Sequence, residues 1–186
     1  MQPLEEKLSI YKGLLRKWQG AINLISNSTL DDIQTRHFED SLQLLPLIAD
    51  DVKTIVDLGS GAGFPALPIA MARPDMVVHC IESDRKKCTF LQNVSRETFC
   101  ENVTIHCDRI EAVLPTLSPD LLTARALAPL DQLLDWGGRT PALYLKGRQW
   151  EKEISEAQEK HRFTVQATPS QTDAEARILW ITPLID

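Results

Sequence analysis

The 186-residue chain predicts an α/β fold, a mostly parallel sheet with helices on both faces, preceded by N-terminal helices and closed by an antiparallel hairpin. Three observations carry this expectation. Strand-like runs at 54–58, 76–82, 103–107, 121–127 and 142–146 alternate with helix-compatible segments at 65–73, 84–99 and 129–139. Residues 55–63 read Ile-Val-Asp-Leu-Gly-Ser-Gly-Ala-Gly, a buried-strand run closing on three alternate glycines. The tail then breaks the alternation: runs at about 162–168 and 176–182 are joined by the turn-rich 169–173, too short for a crossover helix, so the two strands must be antiparallel.

The elements follow in order. Leu4, Leu8, Tyr11, Leu15 and Trp18 recur at intervals of four and three, the mark of an amphipathic helix that needs a surface to cover. Thr29 with Asp32 reads as an N-terminal cap, and Ile33, His37, Leu44 and Ile48 share the inner side of a second helix. These form an N-terminal helical extension over 1–50, and 51–186 form the core. A chain of this length buries one substantial core and is too short for two of ordinary size, so it is read as a single domain. Pro65 opens the helix after the glycines, and a polar helix near 148–160 precedes the hairpin.

Composition excludes several classes. With 20 Lys and Arg against 26 Asp and Glu, the net charge of −6 argues against a general polyanion binder, since nonspecific nucleic-acid affinity comes from neutralising phosphates. A local basic face is still open to residues such as Arg16, Lys17, Arg36, Arg125 and Lys146. No apolar run is long enough to span a membrane, and Met-Gln-Pro-Leu-Glu-Glu lacks the pattern of a secretory signal, which predicts a cytoplasmic protein. Cys80, Cys88, Cys100 and Cys107 show no metal-ligand spacing and read as reduced core cysteines, so no metal site is expected.

The glycine loop carries the chemistry. A parallel strand leaving a sheet turns sharply, and Gly59, Gly61 and Gly63 permit both positive φ and close approach of a ligand. Glu82, nineteen residues past Gly63 at the end of the next strand, is placed to accept hydrogen bonds from both ribose hydroxyls of a nucleoside. The spacing is G-x-G-x-G rather than the G-x-G-x-x-G of dinucleotide sites, and Asp57 stands two residues before the first glycine. An acid there would repel a pyrophosphate at the helix N-terminus. It would attract the sulfonium and ammonium of S-adenosylmethionine, directly or through water. The pattern therefore favours S-adenosylmethionine over a nicotinamide cofactor or a merely structural turn. Five parallel strands ending in a hairpin is the order of class I methyltransferases, a Rossmann-like arrangement.

Further blocks sharpen the reading: Lys17-Trp18, Asn23-Leu24, Arg36-His37-x-x-Asp40-Ser41, Asp57 to Pro65, Glu82-Ser83, Lys86-Lys87, Phe90-Leu91, Arg109-x-Glu111, Ala124-Arg125-Ala126 and Leu145-Lys146-Gly147. With these the chain resembles the RsmG (GidB) family of bacterial 16S ribosomal RNA methyltransferases, which modify guanine at N7. The resemblance implies that Gly59, Phe64, Ile110, Glu111 and Arg125 contact the cofactor. It also implies a 16S rRNA partner, within the small subunit or an assembly intermediate, with no obligate protein partner. Two positions depart from the family pattern. Ala66 replaces the usual glycine, tolerable unless its φ is positive, and Gln19 replaces the usual asparagine.

Guanine N7 carries an in-plane lone pair at neutral pH, so its methylation needs alignment rather than a general base. His37 and Asp40 can share a helix face, either as a surface network or beside the methyl site to orient guanine. Asp40 could also offset charge on the methylated base. Lys146, at a strand's C-terminal end, suits a phosphate or guanine O6. His37 at an ordinary pKa of about 6.5 would bend the acidic end of a rate profile. Arg125 within an apolar strand requires a partner, because unpaired burial is costly. The alternatives are methylation of a small molecule or protein, and a noncatalytic RNA-binding or ribosome-assembly factor.

Overall fold

The computed structural model describes residues 2–184. Seven strands form one sheet in the order β3-β2-β1-β4-β5-β7-β6: β1 Thr54–Leu58, β2 Val77–Glu82, β3 Val103–Cys107, β4 Leu121–Arg125, β5 Ala142–Lys146, β6 Phe163–Pro169 and β7 Arg177–Pro183. The first five are parallel, and β7 runs antiparallel to both β5 and β6, as the short connection demands. The chain order reverses between β1 and β4, the position at which doubly wound sheets open a ligand crevice at the strands' carboxyl ends.

Two apolar layers cover the sheet. One face packs against α1 (Leu4–Gln19), α3 (Ala66–Ala72) and α4 (Arg85–Glu97), whose buried Leu8, Tyr11, Leu15, Leu67, Ile69, Phe90 and Leu91 join Ile55 and Val78 of the strands. The other packs against α5 (Ile110–Val113), α6 (Leu130–Gly137) and α7 (Trp150–Gln158), where Val113, Leu130, Leu133 and Ala157 meet Val56, Leu122 and Tyr144. Asp84 caps α4 by accepting from the backbone N–H groups of Lys86 at 2.7 Å and Lys87 at 3.2 Å, satisfying two of the donors that a helix start leaves open.

The segment after α1 departs from the regular second helix that its periodicity suggests. It contains a 3-10 turn at Asn27–Thr29, a π-helical stretch at Gln34–Glu39 and one α-helical turn, α2, at Asp40–Leu42. The inner residues are those expected, Ile33, His37, Leu44 and Ile48 all being buried. Thr29 does not cap: its hydroxyl donates to the Ser26 carbonyl at 2.8 Å and meets His37 Nε2 at 2.8 Å. Gln19 fills its hydrogen-bonding position fully. Its amide donates to the Ile25 carbonyl at 2.8 Å and its oxygen accepts from the N–H groups of Leu24 and Ile25, both at 3.1 Å, tying the end of α1 to the next turn. Ala66 is buried at the start of α3 and is not among the positive-φ residues, so its methyl is accommodated.

Candidate active site

Three glycines shape the exit from β1, with φ of 61° at Gly59, 58° at Gly61 and 96° at Gly63. At two of them space is as decisive as conformation. A Cβ on Gly59 would stand 2.4 Å from Leu127 Cδ1, and one on Gly63 would stand 2.6 Å from the Tyr11 hydroxyl. The Tyr11 hydroxyl itself donates to the Ala62 carbonyl, so α1 holds the loop from beneath. Gly61 N–H donates to Glu82 Oε2 at 2.8 Å, and Asp84 N–H donates to Oε1 at 2.8 Å. Glu82 is thereby locked with a second lone pair free on each oxygen.

A cavity of about 400 Å³ opens above this loop, a size suited to a small-molecule ligand. Of the residues expected to hold a cofactor, Gly59, Gly61, Phe64, Glu82, Ile110, Glu111 and Arg125 line it. Asp57 and Gly63 do not. Asp57 is fully buried beneath the loop, where Thr123 Oγ1 donates to its Oδ1 at 2.7 Å while Oδ2 has no hydrogen-bond partner among the described residues. Burial pushes its carboxyl up to about 7. Direct contact with a ligand ammonium is therefore not built in. Leu24 and Ala126, which fall in blocks of the family resemblance, also line the cavity, together with Leu127 and Trp136, which no block contains. Trp136 Nε1 donates to Glu111 Oε1 at 2.9 Å, bringing α6 to the wall.

Arg125 ends β4 and organises the middle of the site. Its guanidinium lies 4.9 Å from the Phe64 ring centroid, donates to Asp40 Oδ2 and the Arg36 carbonyl, both at 3.1 Å, and meets His37 Nδ1 at 2.9 Å. A guanidinium only donates, so Nδ1 must be the unprotonated nitrogen and Nε2–H donates to Thr29. That tautomer is neutral. Burial first, then the Arg125 and Arg36 charges, lowers the His37 pKa to about 4, which corrects the expectation that it titrates near 6.5. Asp40 is equally committed: its Oδ1 accepts from Gln43 at 2.8 Å and from Thr172 Oγ1 at 2.6 Å. The face shared by Arg36, His37 and Asp40 thus does come together, around Arg125.

Beyond Arg125 a second cavity of about 710 Å³ extends over the ends of β4 and β5, sharing Leu24, Arg125, Ala126 and Leu127 with the first. His37, Asp40 and Lys146 line it. Lys146 is not the open phosphate contact that its position suggested. Its side chain is only 8% exposed, donating to the Ala128 carbonyl at 2.6 Å and pairing with Glu153 at 2.7 Å. Cys107 is another correction, since it is exposed at the end of the edge strand β3 while the other three cysteines are buried.

A crevice at the carboxyl ends of β1, β2 and β4, opening over a glycine-rich loop, with a mostly parallel sheet closed by an antiparallel hairpin, is the layout of the class I methyltransferase fold. Solved structures share the fold: a precorrin-6y C5,15-methyltransferase from Geobacter metallireducens GS-15 aligns with a TM-score of 0.59 at 15% identity, over 86% of this chain and 90% of that one. A point mutant of MtNAS in complex with S-adenosylmethionine aligns with a TM-score of 0.62 at 14% identity, over 97% of this chain and 76% of that one. The chain belongs to the GidB family, rRNA small subunit methyltransferase G, whose model matches residues 4–178. It is 45% identical over 184 residues to a ribosomal RNA small subunit methyltransferase G from Paracoccus denitrificans, covering 96% of this chain and 95% of the relative.

Proposed function

We propose that this protein transfers the methyl group of S-adenosylmethionine to N7 of a guanosine in 16S rRNA, acting on the small ribosomal subunit or an assembly intermediate in the cytoplasm. The observation that carries this reading is the pair of cavities meeting at Arg125, Ala126 and Leu127, in a chain that matches the family along nearly its whole length. The smaller cavity fits the cofactor. Glu82 offers free lone pairs to the ribose hydroxyls, Gly59 and Gly61 let the ligand approach the backbone, and Ile110 with Glu111 bounds the adenine end. The unpartnered Oδ2 of Asp57 lies beneath, suiting a cationic ligand that carries no phosphate.

Bound there, the cofactor supplies an electrophilic methyl on a sulfonium. The chain's own work is orientation. Arg125 holds the boundary between the chambers, braced by Asp40, His37 and the Phe64 ring, and is placed for the cofactor's methionine carboxylate. His37 and Asp40 fix that arrangement rather than move protons, because their acceptor atoms are already engaged. No proton needs removing from N7, and alignment in such a site is worth an effective molarity on the order of 10^5 to 10^8 M.

The decisive experiment is transfer of labelled methyl into small subunits from cells lacking this protein, followed by nucleoside mass spectrometry. The expected product is 7-methylguanosine. Arg125→Ala is expected to lose most activity while remaining folded, and single-turnover rates at saturating cofactor should be nearly flat between about pH 6.5 and 8.5. Methylation on ribose, on another guanine atom or on another base would overturn the assignment. A log-linear rise of rate with pH would overturn the base-free mechanism alone.

A further inference from the structure

How the enzyme would tell guanine from adenine follows from the wall of the second cavity beside Lys146, and rests on the N7 reading above. With N7 turned toward the cofactor chamber, the N1–H of guanine points at roughly a right angle to the N7 lone pair, within the second cavity. The sheet order β2-β1-β4-β5 places Glu82, the glycine loop, Arg125 and Lys146 in a row. At about 4.8 Å per strand, Lys146 lies roughly 10 Å beyond the loop, within the span of a purine that sets N7 at the cofactor chamber and N1–H against this wall. Reading N1–H there requires an acceptor.

Four carboxylates line this cavity, and three are unsuited. Both oxygens of Asp40 are occupied, by Arg125 on one and by Gln43 and Thr172 on the other. Asp173 pairs with Arg36 at 3.2 Å on the surface, its side chain 35% exposed. Glu156 is 58% exposed and leans toward Lys152. Glu153 differs: its side chain is 20% exposed, Oε2 accepts from the Leu130 N–H at 2.9 Å and from Lys146 Nζ at 2.7 Å, and Oε1 accepts no hydrogen bond among the described residues. The carboxylate is thus held at one oxygen and open at the other.

The geometry points to Glu153 as the residue that reads the target base, its Oε1 accepting the N1–H of guanine. Lys146 is then a positioning residue that holds Glu153 through Oε2. Adenine presents a lone pair at N1 and is repelled. The clamp also predicts what an amide would do. In Glu153→Gln, Lys146 and Leu130 donate to the position of Oε2, so the amide oxygen must lie there. Its NH2 then replaces Oε1 and confronts the guanine N1–H with a second donor.

Small subunits reconstituted with 16S rRNA carrying guanosine, inosine or 2-aminopurine at the methylated position test this. Inosine keeps N1–H and lacks the amino group, whereas 2-aminopurine presents an acceptor at N1. Wild-type protein is expected to use inosine within a few-fold of guanosine and 2-aminopurine roughly tenfold less well in kcat/KM, the size of one discriminating base contact. Glu153→Gln, checked for folding by unchanged cofactor affinity, should lose about tenfold on guanosine and lose its preference over 2-aminopurine. Retention of the wild-type preference by the variant overturns the proposal. So does a wild-type protein indifferent to 2-aminopurine, or as impaired on inosine as on 2-aminopurine, results that need no variant to fold. Absence of 7-methylguanosine from the guanosine substrate would overturn the proposed function as well, whereas its presence without discrimination would overturn only the role of Glu153.

Discussion

At Asp57, burial works against ionisation, and its pKa of about 7 makes both folding and ligand binding depend on pH. Its folded pKa lies above the unfolded value of about 3.9, so the native state binds more protons between the two. Stability contributed by the neutral form is present at low pH and falls as pH rises through that window, by up to about 4 kcal/mol above pH 7. Asp57→Asn should remove this loss, and thermal unfolding of the free protein at pH 5 and pH 8 checks it. Cofactor affinity should behave oppositely, tightening in the wild type as pH rises to about 7 and losing that dependence in Asp57→Asn by calorimetry. His37 has the reverse sign, its folded pKa of about 4 making stability present above about 6.5 and lost as pH falls, so each variant must be compared with the wild type at matched pH.

The π-helical stretch Gln34–Glu39 places Arg36, His37 and the following Asp40 around Arg125, and π turns recur at functional positions in other proteins. The β6–β7 loop secures it from outside through Thr172 to Asp40 and the Gln171 N–H to Gln43. Thr172→Val removes the hydroxyl and should cost about 1 kcal/mol of stability. Single-turnover methylation should fall several-fold while cofactor binding is nearly unchanged. An unaltered rate would show that this loop does not position Asp40. Parallel strands and the closing hairpin were legible in the sequence because alternation and turn composition are local. The π stretch was not, since an inner-side pattern of Ile33, His37, Leu44 and Ile48 suits an α-helix equally. α5 has too few residues for periodicity to register. β4 stops at Arg125 rather than continuing to Leu127 because Ala126 turns with φ of 51°. At the site, the glycine loop and Glu82 announced themselves by spacing, whereas Glu153 depends on a pairing with Lys146 across separate elements.

On the scale of the whole molecule, a net charge of −6 must coexist with recognition of a polyanion. Buried cations such as Lys146 cannot supply that recognition, because their charge is already matched. The exposed Arg16, in the last turn of α1, stands near the segment whose Leu24 and Ile25 line the second cavity. Binding to small subunits should weaken with salt, and Arg16→Ala should reduce the slope of log K against log salt by about 0.7 to 0.9 if it meets one phosphate. An unchanged slope and affinity would exclude Arg16 from the interface. The shared wall of the two chambers has a consequence for turnover. A ligand that drew the Arg125 guanidinium toward one chamber would alter the surface offered to the other, and occupancy of the two would then be thermodynamically linked. Linkage is reciprocal: a cofactor that tightens the grip on the base must itself be gripped more tightly by the enzyme–RNA complex, and by the same factor. In the proposed reaction Arg125 is then the point at which the protein would register that both reactants have arrived.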